Sequence, residues 1–159
     1  MSLLESAYQN FDQTSRMEWL ETNGLGSFAM GTWAGVNTRR YHGLLVASLR
    51  PPVERNLLLA RLEDQVETAS GRYDLSTCQY PGTVSPDGYK LLSGFNCDPF
   101  PHWRFQLPAF ALEPTVQIEK ELFLVRCQNS VIVRYRASSA VALRLRPMLA
   151  FRDYHCLGH

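Results

Sequence analysis

Alternation of apolar and polar positions is clearest in the last third of the chain. Val116, Ile118, Lys120, Leu122 and Leu124 fall on one side of an extended segment, with Gln117, Glu119, Glu121 and Phe123 on the other. Asn129-Ser130 then turns into Val131, Val133 and Tyr135, which alternate with Ile132, Arg134 and Arg136. After Ser138-Ser139, Val141, Leu143 and Leu145 alternate with Arg144 and Arg146. Three period-2 segments joined by short polar turns predict an antiparallel meander with one buried face. Upstream, Tyr41 to Leu49 reads as a buried strand stopped by Pro51-Pro52. Leu57 to Thr68 fits either a strand, with Leu58, Ala60, Leu62, Asp64 and Val66 on one side, or a short helix. Glycines at 24, 26, 31, 35 and 43 favour turns and short strands between Asn23 and Gly43. Residues 70–102 are turn-rich, with room for short strands such as Tyr89 to Leu92. The first fifteen residues read as a loose lead-in and 16–159 as one domain. The fold class is mainly β, an antiparallel β-sandwich rather than a parallel α/β sheet.

Composition narrows the function classes. A chain of 159 residues that is 45% hydrophobic holds one globular core. A formal net charge of +1 supplies no general attraction to nucleic acid or to an anionic membrane. No apolar run reaches the roughly 18 to 20 residues of a membrane span. Met1 to Ser6 lacks a basic region followed by an apolar one, so the expectation is a cytoplasmic chain without a secretory signal. Cys78, Cys97, Cys127 and Cys156 form no CxxC pair and are expected to be free thiols. Only two of the 16 basic residues, Lys90 and Lys120, are lysines. A bias of the source genome explains that count most simply, although arginine's planar fork also suits carboxylates and rings.

Several motifs carry candidate chemistry. Gly24-Leu25-Gly26-Ser27-Phe28-Ala29 has the letters of a dinucleotide fingerprint, but polar residues precede it and no acid follows before Glu54. A tight turn feeding a strand is the better reading. Glu119 and Glu121 would place carboxylates roughly 7 Å apart on one strand face, a glycosidase-like spacing that any solvated strand face also produces. His155, Cys156 and His159 resemble a metal cluster without a second ligand group, and no metal or cofactor is assigned. Two clusters differ in kind: Asn37-Thr38-Arg39-Arg40-Tyr41-His42-Gly43 and Arg152-Asp153-Tyr154-His155. Their forks, carboxylate and rings suit sugar hydroxyls and sugar faces. They equally suit an internal network pinning two strands together.

These two clusters are also where a resemblance enters. Trp19-Leu-Glu-Thr-Asn23-Gly24-Leu-Gly26, then Gly31-Thr-Trp-Ala-Gly35-Val and the Asn37 to Gly43 run, resemble the N-terminal domain of bacterial and archaeal glycogen debranching enzymes. Arg50-Pro-Pro52, Tyr80-Pro-Gly82, Pro86-Asp-Gly88, Asp98-Pro-Phe-Pro101, Val133-Arg-Tyr-Arg136 and Arg146 to His155 look like the same family, in order from about Trp19 to His155. Ser27, Met30 and Trp33 stand where the family usually has smaller residues, and Cys156 to His159 departs from its continuation.

The resemblance implies a supersandwich-like domain placed before an (α/α)6 barrel that holds the catalytic carboxylates of an amylo-α-1,6-glucosidase. It therefore implies a piece of a longer enzyme, with an incomplete sandwich and no catalytic residue of its own. Its partners would be that barrel and, through the whole enzyme, α-glucan such as glycogen or limit dextrin. Asn37, Arg39, Arg40, Tyr41, His42, Arg152, Asp153, Tyr154 and His155 would line or brace the junction. Two other readings are an independent glycan-binding module presenting Trp19, Trp33 and Trp103, and a structural domain that self-associates as a homodimer through a bared apolar patch.

Overall fold

The computed structural model describes residues 7–108 and 115–156. Strands β1 (Glu18–Thr22), β2 (Phe28–Thr32), β3 (Gly43–Arg50) and β4 (Val53–Thr68) run antiparallel in one large sheet. A short β5 (Gly71–Asp74) pairs with the far end of β4, and β6 (Thr77–Tyr80) with β7 (Thr83–Asp87) forms a separate hairpin. A smaller sheet holds β8 (Leu92–Asn96), β9 (His102–Gln106), β10 (Gln117–Leu124) and β11 (Val131–Ala137), in the order β11-β10-β9-β8. The last strand, β12 (Ala142–Asp153), returns to the large sheet beside β4. The protein is mainly β, with antiparallel sheets packed as a sandwich. Among the described residues no helix is long and apolar enough to cross a membrane.

Residues 53–68 resolve as strand, sixteen residues long, instead of helix. The Tyr89 to Leu92 segment differs from expectation: Gly88–Leu91 is a 3-10 turn and extended backbone begins at Leu92. A second difference is topological. β10 and β11 form the expected hairpin, but β12 does not continue a meander on β11. Charge favours this choice. Arg134 and Arg136 already lie on the solvent side of β11, and Arg144 and Arg146 beside them would set like charges opposite one another. Against β4 they meet carboxylates instead, Arg146 Nη2 at 2.6 Å from Glu63 and Arg144 Nη2 at 3.3 Å from Glu67.

The glycine motif at 24–29 is the turn between β1 and β2. Gly26 has φ +94°, and a Cβ there would lie 2.6 Å from the Pro52 carbonyl oxygen, so only glycine fits. The flanking polar residues tie this turn to the β10–β11 turn. Asn23 Nδ2 donates to the Gln128 carbonyl at 2.6 Å, and Ser27 Oγ donates to Asn129 Oδ1 at 2.5 Å while accepting from Ser48 N at 2.8 Å. Ahead of β1, Asn10 caps a single helical turn, α1 (Phe11–Thr14). Thr14 is buried, Tyr8 stacks on Trp33 and Phe11 meets Tyr89, so the lead-in packs on the sandwich from Tyr8 onward.

Between the sheets sit Trp19, Leu45, Ala47, Val66, Leu92, Phe95, Trp103, Phe105, Ile118 and Leu122. The indoles of Trp19 and Trp103 meet edge to face at 5.4 Å, and each N–H reaches a carbonyl, Thr32 at 3.2 Å and Trp33 at 2.9 Å. Two charged residues stand on the apolar registers of their strands and meet in this layer. Lys120 Nζ lies 2.6 Å from Asp64 Oδ2, which also accepts from the Tyr135 hydroxyl at 2.8 Å. The Asp64 side chain is fully buried. Burial, with the neighbouring Asp64 charge, pushes the Tyr135 phenol far above its ordinary range, so it stays a donor.

The cost of taking this pair from water is large, and cutting one partner leaves the other stranded. Asp64→Ala is expected to lose about 3–5 kcal/mol of unfolding free energy in urea denaturation. Replacing both charges, as Asp64→Leu with Lys120→Met, is expected to recover a large part of that loss.

Candidate functional site

The 33–42 connection between β2 and β3 and the end of β12 meet over the outer face of the large sheet. Their meeting begins with a bulge. The β4–β12 register slips between Leu149 and Arg152, where Phe151 adopts φ +46° and its ring is exposed. Beyond it, Tyr154 N donates to the Arg55 carbonyl at 3.2 Å, which keeps the chain on β4 for one more residue. Asp153 then folds the tail over, accepting from His155 N at 2.8 Å, an Asx-type turn.

Two arginines clasp the segments reciprocally. Arg152 Nη2 donates to the Arg40 carbonyl at 2.6 Å, and Arg40 Nη1 donates to the His155 carbonyl at 2.9 Å. Arg152 Nη1 also reaches the carbonyl of Asp153 at 3.1 Å. Both guanidiniums are thereby committed to backbone oxygens. The rings they align remain accessible. Tyr154 lies 3.9 Å from the His155 ring and 5.5 Å from Tyr41, centroid to centroid, and the Tyr41 hydroxyl sits 3.2 Å from His155 Nδ1. Arg55 covers the Tyr154 ring at 5.7 Å and anchors itself by Nε to the Gly26 carbonyl at 2.6 Å.

These rings border a shallow cavity of about 620 Å³. Leu20, Phe28 and Met30 floor it, and Arg39 and Arg55 stand at its rim. The floor follows from strand register: Trp19 opposite Gly31 faces the core, so Leu20 opposite Met30 faces outward. An apolar floor, three rings and two guanidiniums form a surface able to hold a ring-shaped polar molecule by stacking and hydrogen bonding.

The structure thus brings Arg39, Arg40, Tyr41, Arg152, Asp153, Tyr154 and His155 together. Asn37 stands apart, donating to the Ala60 carbonyl at 3.1 Å. His42 lies beneath the surface, 1% exposed. Glu18, Arg55, Leu20 and Phe28 belong to the same surface and carry no motif; the alternation of β1 around Trp19 is the one signal that turns Glu18 and Leu20 outward. The other sequence candidates lie elsewhere. Trp19 and Trp103 are core residues and Trp33 packs against that core, which leaves no exposed tryptophan platform among the described residues. Glu121 pairs with Arg134 and Glu119 faces His102 at 3.9 Å on the outer side of the small sheet. His159 lies outside the described residues, and among those described no group of three His, Cys, Asp or Glu could hold a metal. The four cysteines are free, Cys78 buried and the other three exposed.

His42 shows how the loop is held. Thr38 N donates to its Nδ1 at 3.0 Å, so the proton of the neutral ring sits on Nε2 and points at Glu18 Oε1, 3.1 Å away. Glu18 also holds Arg39 Nε at 3.2 Å. Burial lowers the His42 pKa below the ordinary 6.5, against the opposing pull of Glu18. The unfolded chain then binds more protons than the folded one once pH falls below 6.5, so this contribution is whole above that value and is lost as pH falls through the lowered one. Imidazole NMR is expected to show the Nε2–H tautomer and a titration below 6.5. The urea midpoint of His42→Asn should fall less than that of the natural chain between about pH 7.5 and about pH 5.5.

Residues 17–159 match the family described as Glycogen debranching enzyme N terminal, a span that includes every strand and both arginine-bearing segments of the cluster. No curated protein and no solved structure matches the chain. The chain belongs to the family of glycogen debranching enzyme N-terminal domains.

Proposed function

We propose that this domain is the N-terminal sandwich of a cytoplasmic enzyme that hydrolyses α-1,6 branch points of glycogen and limit dextrin, docking on a catalytic (α/α)6 barrel and supplying one wall of its glucan site. The observation that supports this reading is the division of labour in the cluster. Arg40, Arg152, Asp153 and His42 are occupied in holding segments together, whereas Tyr41, Tyr154 and His155 present rings to an open cavity, with Arg39, paired to Glu18, at its rim. Stacking rings beside a guanidinium suit the apolar face and hydroxyl edge of a glucose unit. Asn37, bound to β4, acts only as a brace of the loop. In this reading hydrolysis belongs to the barrel, which would supply the pair of carboxylates that glycoside hydrolysis requires.

A second reading, self-association of the isolated chain, is favoured by β12. Leu145, Leu149 and Phe151 are 47%, 75% and 80% exposed along this edge strand. The isolated chain is expected to show concentration-dependent mass in light scattering, reduced by Leu149→Lys with Phe151→Lys.

Pure chain is expected to give no turnover of limit dextrin. In the complete enzyme, Tyr154→Ala is expected to raise KM by about tenfold with thermal stability preserved, the loss of one aromatic contact. Arg152→Ala is expected to lower Tm first, because the clasp fails before the surface does. An unchanged KM in Tyr154→Ala would remove the substrate-contact role and leave the junction as a brace alone.

A further inference from the structure

The large sheet carries a second depression that shares no lining residue with the first. It is a groove of about 680 Å³ between the β6–β7 hairpin and the β5–β4–β12 part of the sheet. That volume lies within the roughly 300–1,000 Å³ of small-molecule sites.

Its walls dictate what it can take. Glu63, Asp74, Asp87, Arg144 and Arg146 all line it. Most of these charges already have partners: Glu63 holds Arg146 at 2.6 Å, Asp87 holds Lys90 at 2.6 Å, and Arg144 reaches Glu67 at 3.3 Å. An added anion would meet three carboxylates and an added cation two guanidiniums. An apolar ligand would desolvate all five. A neutral molecule dense in hydroxyls meets none of these objections, since each hydroxyl can donate to a carboxylate and accept from a guanidinium. Tyr80, 51% exposed, adds a ring face at one end.

One polar group at the base of the groove is left without a partner. Ser76 lines the groove, is 8% exposed, and its Oγ has no hydrogen-bond partner among the described residues. A buried hydroxyl left unpaired costs free energy that an incoming group would recover. We propose that this groove is an accessory site for a neutral oligosaccharide, with Tyr80 stacking on a sugar ring, Asp74 and Arg144 bonding its hydroxyl edge, and Ser76 Oγ meeting the most deeply seated group. The groove's chemistry stands without the proposed function; only the choice of an α-1,4-linked probe rests on it.

Amide NMR titration of the 159-residue chain with maltoheptaose, and separately with cellohexaose, tests the site. The expected result is saturable shifts at Gln65, Tyr80 and Arg144 with maltoheptaose. Tyr80→Ala should weaken them by about tenfold, the loss of an aromatic contact. Ser76→Ala should weaken them by about threefold to tenfold, the worth of one hydrogen bond, with spectral dispersion unchanged. Ser76 also borders a small internal cavity of about 40 Å³. An unchanged affinity in Ser76→Ala would assign its hydroxyl to that cavity and overturn the proposal. Shifts confined to Tyr41 and Tyr154 would support the junction reading and overturn the groove, as would no saturable shift with either sugar. Saturable groove shifts with cellohexaose alone would uphold an oligosaccharide site while counting against an α-glucan enzyme.

Discussion

Strand β4 is hydrogen-bonded along both edges, and the rest of the large sheet is arranged by that constraint. One edge carries β3 over its first half and β5 over its second, while β12 runs along the other. A sixteen-residue strand with two paired edges leaves little freedom in where its neighbours begin and end. Leu57 of β4 pairs with Val46 on one side and Arg152 on the other. That double register sets the end of β12 level with Val46 and Ala47 in the middle of β3, close enough for Arg152 to reach back to Arg40 in the loop that precedes β3. The aromatic cluster follows from strand pairing more than from any attraction among its own side chains.

Charge acts on this framework in two ways that differ in cost. On the outer face, arginines of β12 meet glutamates of β4 in water, where each pair contributes a fraction of a kcal/mol, about 0–1. Their value is selective, because they favour β4 over β11 as the partner of β12. Between the sheets, Asp64 gives up its hydration altogether and Lys120 most of its own, and Asp64 Oδ2 is satisfied by Lys120 with Tyr135 assisting. That contact joins β4 to β10 and β11 at one lateral position, which apolar packing alone would specify less sharply.

Sequence periodicity revealed β10 and β11 because each is half exposed and alternates cleanly. It also put Lys120 on the apolar side of β10 and Asp64 on the apolar side of its segment, without indicating that the two would touch. β4 was ambiguous because both of its faces are partly covered: Leu57 is buried on the face opposite Val66, so strict alternation breaks down. The partner of β12 is a non-local pairing that no local pattern encodes. Similarly, the chemistry of the Asn37–Gly43 and Arg152–His155 runs was legible, but their union was not. Glu18 and Arg55 escaped because single charged residues in strands carry no motif; their roles depend on who stands opposite. Asn37 and His42 carried the right residue types in the right run, yet hydrogen-bond geometry directs both to the scaffold.

The reciprocal arginine clasp has a consequence for the order of events in folding. Its two hydrogen bonds join residues 112 and 115 positions apart in the chain. Contacts so distant in sequence incur the largest loop-closure entropy and form after local hairpins such as β10–β11. During synthesis the cavity beside Tyr41 therefore has no second wall until Tyr154 and His155 leave the ribosome. The surface that presents the rings therefore closes only once these two distant segments have met, after the hairpins on which they stand.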